Sequence, residues 1–220
     1  MGCTPPLIET KTGEMAQKTK VAINTRFDEY GTQLPKVPID ETPPVDDDYD
    51  PDGYDPGTDK YTAWPPAPNI VEYAMDQTFR LIGGVTDDRF GNGDWDFDAY
   101  WAATHPGVTK PNGWNNATNR PKRWDVYSYE VATAGMIPVA PTHTAGDAER
   151  RILHVAVASC AALGLKGSSE AVLMDPDGFA RMFVIRKADD PQNKLNIYAE
   201  YLGWSLEQDA HYHVDIQLYQ

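Results

Sequence analysis

Residues 48–59 read DYDPDGYDPGTD, with alternating aspartates at Asp48, Asp50 and Asp52, then Gly53, and Asp59 closing the stretch. Side chains at alternate positions of a curving backbone converge on one point. Carboxylates gathered there repel one another until a divalent cation joins them. A calcium loop of the helix–loop–helix kind takes oxygen ligands from loop positions 1, 3, 5, 7 and 12, with glycine at 6. Asp48, Asp50, Asp52, the Tyr54 carbonyl and Asp59 fall on those ligand positions, and Gly53 falls on the glycine. Pro51, Pro56 and Asp55 depart from the pattern, Asp59 is shorter than the usual Glu, and no helix is expected on either side. Two readings stay open: an isolated DxDxDG-type calcium loop of weak affinity, or a solvated acidic turn.

Other candidates are thinner. Asp94, Asp96 and Asp98 alternate as well but lack the glycine, and Asp98, or alternatively Asp96, is expected to cap the following helix. His211 and His213 flank Tyr212 on one strand face, a two-ligand metal pattern with no third ligand in view. His105 and His143 sit in turn sequence with no evident partner, and His154 lies in an apolar strand. Cys160 is embedded in VAVASCAAL, where a thiol is inert rather than nucleophilic. Cys3 and Cys160 are the only cysteines, and they form either one long-range disulfide or two separate thiols. Asn116-Ala117-Thr118 fits a glycosylation sequon. No Walker, dinucleotide or GxSxG motif is present, and no spacing singles out a glycosidase-type pair of carboxylates. The residues therefore favour a non-enzymatic module.

The net charge of −14, from 33 acidic and 19 basic side chains, disfavours nucleic acid and anionic lipid. Residues 40–59 hold nine of those acids and no base. No apolar run approaches the roughly 18 residues of a membrane span. With prolines at 35, 38, 43, 44, 51 and 56, residues 1–65 read as an extended acidic arm or a large ordered loop, with disorder as the alternative, and with one short alternating strand at VAINTRF, 21–27. Residues 66–220 make a second unit. Its expected helices are PNIVEYAMDQTFRLIGG, DFDAYWAATHP and RWDVYSYEVATAGMI, the last with Trp124, Tyr127 and Val131 on one face. RRILHVAVASCA, FARMFVIRKA, LNIYAEYLGW and YHVDIQLYQ read as strands, and their short breaks favour antiparallel neighbours. The fold class is thus α+β, a helical and irregular N-terminal half packed on a C-terminal antiparallel sheet. The dense aromatic residues Trp95, Tyr100, Trp101, Trp114, Trp124, Tyr127 and Tyr129 are either core or a sugar platform, and core is favoured.

CTPPLIE, PDGY, DDRFGNGDWDFDAYWAATHPG, RWDVYSYEV, ERRILHVAVASCAAL, FARMFVI, NIYAEYLGW and HVDIQLYQ follow one another in an order that resembles the C-terminal region of TadE/TadG-like proteins of Tad/Flp pilus assembly. The likeness covers most of residues 50–220. It implies a bacterial envelope protein, periplasmic or extracellular, tethered through a membrane helix that this chain lacks. It also implies a pilin-like or scaffold component that supports adhesion, meets other pilus or envelope proteins and carries no catalytic residue. Relatives of this kind often place a cysteine where Phe97 stands, which leaves Cys3 as the one available mate for Cys160. An envelope location would make calcium at residues 48–59 more credible. The alternatives are a calcium-dependent adhesion or carbohydrate-binding module and a secreted carboxylate hydrolase.

Overall fold

The computed structural model describes residues 8–11, 16–30, 65–76, 94–157, 171–174, 178–190 and 195–205. In chain order these hold β1 (Ile8–Lys11), α1 (Ala16–Asn24), α2 (Phe97–Thr104), α3 (Arg123–Ala132), β2 (Ile152–Val157), β3 (Ala171–Met174), β4 (Gly178–Val184) and β5 (Ala199–Trp204). The fold is mixed α+β. β2, β4 and β5 form an antiparallel sheet in the order β2–β4–β5, and β1 pairs antiparallel with β3. YHVDIQLYQ, residues 212–220, lies outside the described residues.

β2 and β4 pair in unbroken register from Ile152 opposite Phe183 to Val157 opposite Gly178. The β4–β5 ladder slips once: Arg181 faces Gly203 while Met182 faces Tyr201, so Leu202 is an extra residue. Gly203 takes up this bulge at φ +124, a backbone state that side chains disfavour.

Neighbouring strand residues point to opposite faces. Phe183 enters an aromatic cluster with Tyr73, Trp95, Phe97, Tyr100, Trp101, Val126 and Tyr127. Val184, next in the chain, enters a smaller cluster with Ile23, Phe27 and Ala188, against which Leu153 and Leu195 pack.

Two segments depart from the periodicity of their sequences. VAINTRF is not a strand: residues 21–24 end α1, and Thr25–Phe27 form a 3-10 turn. The Asn24 amide holds it there, donating to the Ala188 carbonyl at 3.1 Å and accepting from the Ala188 amide at 2.8 Å. Residues 68–76 of the expected helix PNIVEYAMDQTFRLIGG contain no helix; the remainder lies outside the described residues. A helix needs its own carbonyls, whereas here the Asn69 and Val71 carbonyls accept from Arg151, and the Tyr73 amide donates to the Ile185 carbonyl.

α2 and α3 form within the segments read as helices. Asp96, rather than Asp98, caps α2, accepting from the Ala99 amide at 2.9 Å. α3 starts where the Asp125 carboxylate reaches back to the Lys122 amide at 3.0 Å. Its buried stripe is Arg123, Val126, Tyr127 and Glu130, at spacings i, i+3, i+4 and i+7. Trp124 and Val131 lie half-buried at its margin, so the inward face is rotated from the Trp124–Tyr127–Val131 face that the aromatics suggest.

Candidate functional site

Asp48, Asp50, Asp52, Tyr54 and Asp59 lie outside the described residues, as do Cys3, Cys160, His211 and His213. The second acidic alternation is described, and its carboxylates go separate ways. Asp94 pairs with Arg120 at 2.6 Å, and Asp98 with Lys110 at 2.6 Å. Asp96 holds the α2 cap and accepts from the Asn116 amide at 2.8 Å. The Ala99 amide, then Asn116, keep its carboxyl below the usual range. Among the described residues, no group of three or more His, Cys, Asp or Glu is placed to hold a metal ion. Asn116 of the sequon is likewise committed. Its side-chain oxygen accepts from the Asp98 amide, and its own backbone amide donates to the Asp98 carboxylate.

The histidines have partners that their local sequence does not show. His154 bonds the Ser205 hydroxyl at 2.7 Å. His143 bonds Asp28 through Nδ1, its ring meets Tyr30 edge-on at 4.9 Å, and the Thr142 amide donates to the other Asp28 oxygen at 2.5 Å. Asp28 sits in the left-handed region at φ 62, where Asp is among the few tolerated side chains. Burial pushes its carboxyl up, but the bonds from Thr142 and His143 outweigh it and hold the pKa below the usual value.

His105 leads to the densest polar site, built around Glu130 from α3. Glu130 is 0% exposed and His105 6%. Glu130 Oε1 accepts from the Tyr100 hydroxyl at 2.6 Å and bonds His105 Nε2 at 2.9 Å. Its Oε2 accepts from the Tyr73 hydroxyl at 2.7 Å and the Asn69 amide at 2.6 Å. A carboxylate offers only acceptors, so four convergent partners suit the ionised form and spread its charge. Burial, followed by the facing Glu130 charge, pushes the Tyr100 phenol far up. Burial with Tyr100 and Glu130 does the same to Tyr73.

Two buried guanidinium groups flank this hub. Arg123 pairs with Asp76 at 2.5 Å and Glu200 at 3.2 Å, donates to the Ala74 carbonyl, and lies 5.0 Å from the Trp95 ring. Burial raises the Glu200 carboxyl, and Arg123 and the Trp124 amide oppose the rise. Arg151 is 0% exposed. It donates to the Val184, Asn69 and Val71 carbonyls and sits 4.4 Å from the Phe27 ring, 4.8 Å from Phe183 and 5.2 Å from Tyr73. Burial depresses its pKa, while the tyrosines and Glu130 act the other way. The sequence carried one signal of this arrangement: Arg123 and Glu130 both fall on the α3 stripe that also holds Val126 and Tyr127.

The aromatic residues furnish core. Trp95 is 0% and Trp101 3% exposed, and Trp114, Trp124 and Tyr129 are half-buried against the same cluster. The indole N–H groups are spent internally, Trp95 on the Pro121 carbonyl at 3.0 Å and Trp101 on the Val108 carbonyl at 2.9 Å. Chemically, the hub fixes three chain segments to one another through a single carboxylate. No helix among the described residues is long and apolar enough to cross a membrane. Compared with protein-family models, curated proteins and solved structures, the chain matches none.

Proposed function

We propose that this chain is a non-enzymatic component of a Tad/Flp-type pilus assembly, a pilin-like or envelope scaffold. It works outside the cytoplasm of a bacterium and meets other pilus or envelope proteins. One observation carries this reading. Five of the eight segments on which the resemblance rests bury side chains in or beside one aromatic core. GDWDFDAYW supplies Trp95, Phe97, Tyr100 and Trp101, RWDVYSYEV supplies Arg123, Tyr127 and Glu130, and ERRILHV supplies Arg151 and Ile152. FARMFVI supplies Phe183, and NIYAEYLGW supplies Glu200. A likeness concentrated in packing positions argues for a shared scaffold more than for a shared reaction. The wider arrangement belongs to the same proposal: a helical and irregular N-terminal half laid on a C-terminal sheet.

Buried tryptophans disfavour a sugar platform, which needs rings at the surface. Calcium remains part of the proposal through Asp48, Asp50, Asp52, Tyr54 and Asp59, where it would relieve carboxylate repulsion outside the cell. The test of function is genetic. Deleting the coding sequence in its host should reduce the pili counted by electron microscopy and weaken surface adhesion, and the intact chain should restore both. Unchanged pili and adhesion would overturn the assignment. The calcium part is tested by melting: millimolar calcium should raise Tm in the native chain and not in Asp50→Ala. No shift, or an equal shift in the variant, removes calcium from the proposal.

A further inference from the structure

We infer that Tyr73, Tyr100 and Glu130 form a proton-coupled electron source, reached from the surface through Trp114, that intercepts one-electron oxidation of this protein. Oxidising a phenol at modest potential requires a base within hydrogen-bond distance. Without one, the product is a strongly acidic radical cation, which a low-dielectric interior does not tolerate. Both phenols here have such a base, and it is the same one. Tyr100 donates to Oε1 of Glu130 at 2.6 Å and Tyr73 to Oε2 at 2.7 Å. The carboxylate is fully buried, so the proton it receives is kept from solvent and is available for the return step. The two phenol rings lie 5.0 Å apart between centroids, which lets the electron vacancy be shared.

The route inward is continuous. Half-buried Trp114 stands 5.8 Å from Phe97, Phe97 5.7 Å from Trp95, and Trp95 5.4 Å from Tyr100 and 5.9 Å from Tyr73. Trp114 and Trp95 are the oxidisable stations, and Phe97 fills the gap between them. The reaction balances as follows. A one-electron oxidant at the surface, of the hydroxyl-radical or oxidised-metal-complex class, takes one electron from Trp114 and is itself reduced. An electron from Tyr100 or Tyr73 passes outward through Trp95 and restores Trp114. The phenolic O–H bond breaks, and its proton bonds to the facing Glu130 oxygen. The products are intact Trp114, a neutral tyrosyl radical and a protonated Glu130. An external one-electron reductant returns the electron, and the proton goes back to the phenolate oxygen.

Photogenerated tris(bipyridine)ruthenium(III) is a suitable oxidant for the test, applied to the full chain. Rapidly frozen samples should show a tyrosyl signal by electron paramagnetic resonance. The double variant Tyr73→Phe/Tyr100→Phe should lose most of that signal, and oxidised Trp114, measured by peptide mass mapping, should rise several-fold. Tyr198→Phe should change neither readout. An undiminished signal in the double variant, or no rise in Trp114 damage, overturns the inference. If the double variant does not fold, the native chain decides alone. The tyrosyl signal should build up more slowly in heavy water, because the proton moves with the electron, and equal rates overturn the coupling to Glu130.

Discussion

On one side of the β2–β4–β5 sheet, Phe183 meets the rings of Tyr73, Trp124 and Tyr127, with Glu130, Arg123 and Glu200 buried around them. On the other side, Val184 meets Ile23, Phe27 and Ala188. The first face is large, aromatic and laced with charge. The second is small and almost wholly apolar, and its main polar bonds are those of Asn24 to the backbone of Ala188. The difference teaches what each face fixes. Apolar contacts tolerate sliding, so the second face gains its register from a few polar ties, Asn24 to the Ala188 backbone and Lys20 to Asp190 at 2.5 Å. The first face gains its register from donors and acceptors that fit only one way. Arg151 stands at the seam, with Phe27 on one side and Phe183, Tyr73 and Tyr127 on the other.

The comparison breaks most readily at the charges. Arg123→Met leaves Asp76 and Glu200 buried without their cation, and breaking a buried pair in this way costs about 3–5 kcal/mol. Urea unfolding would measure the loss. A change below about 1 kcal/mol, the size usual for exposed ion pairs, would mean that the Arg123 ion pairs add little to the first face.

Alkali separates the two faces next. Burial is the leading cause that raises the Tyr73, Tyr100 and Tyr127 phenols above 10. Above that pH the unfolded chain has released these protons and the folded chain has kept them, so stability falls as pH rises. Three such groups give a slope of about 4 kcal/mol per pH unit. The phenolate absorbance of this buried set should therefore rise together with unfolding rather than at the ordinary phenol value of about 10. Loss of structure should begin at α2 and α3. Simultaneous, independent titration of all the tyrosines would sink the idea that the aromatic face stays closed.

Much of the aromatic face was legible in advance. The alternating Asp96 and Asp98 before a run of aromatics mark the start of α2, though Asp96 rather than the favoured Asp98 is the cap, and apolar runs mark β2, β4 and β5, whereas β1 and β3 were not read. The rest was hidden for physical reasons. VAINTRF alternates like a strand, yet Asn24 finds its backbone partner at Ala188, far along the chain. The spacing of Ile70, Val71 and Ala74 suits a helix, but the buried guanidinium of Arg151 claims the Asn69 and Val71 carbonyls. The Glu130 hub draws its donors from positions 69, 73, 100 and 105, and no local pattern joins them. Only the charges on the α3 stripe hinted that something would have to meet them.

The aliphatic face predicts a smaller loss. Ile23→Ala removes a buried side chain that is 6% exposed, and a substitution of this kind costs about 2–5 kcal/mol. The low end is expected, because the cluster is small and Leu153 and Leu195 line it only partly buried. Hydrogen exchange should quicken over residues 16–27 while α3 stays protected. Equal quickening in α3 would show that the two faces open as one unit.

The finest measurement asks whether the seam transmits anything. Phe27 and Phe183 belong to different clusters, and both face the Arg151 guanidinium, at 4.4 and 4.8 Å. A double-mutant cycle of Phe27→Leu with Phe183→Leu should show a coupling of about 0.5–1 kcal/mol, the size of a cation–π contact. Repeating the cycle on Arg151→Met isolates the cause. If the guanidinium carries the coupling, the two substitutions become additive once it is gone. If the coupling survives, it travels through the β4 backbone that joins Phe183 to Val184, and the two faces are then linked by the strand rather than by the cation between them.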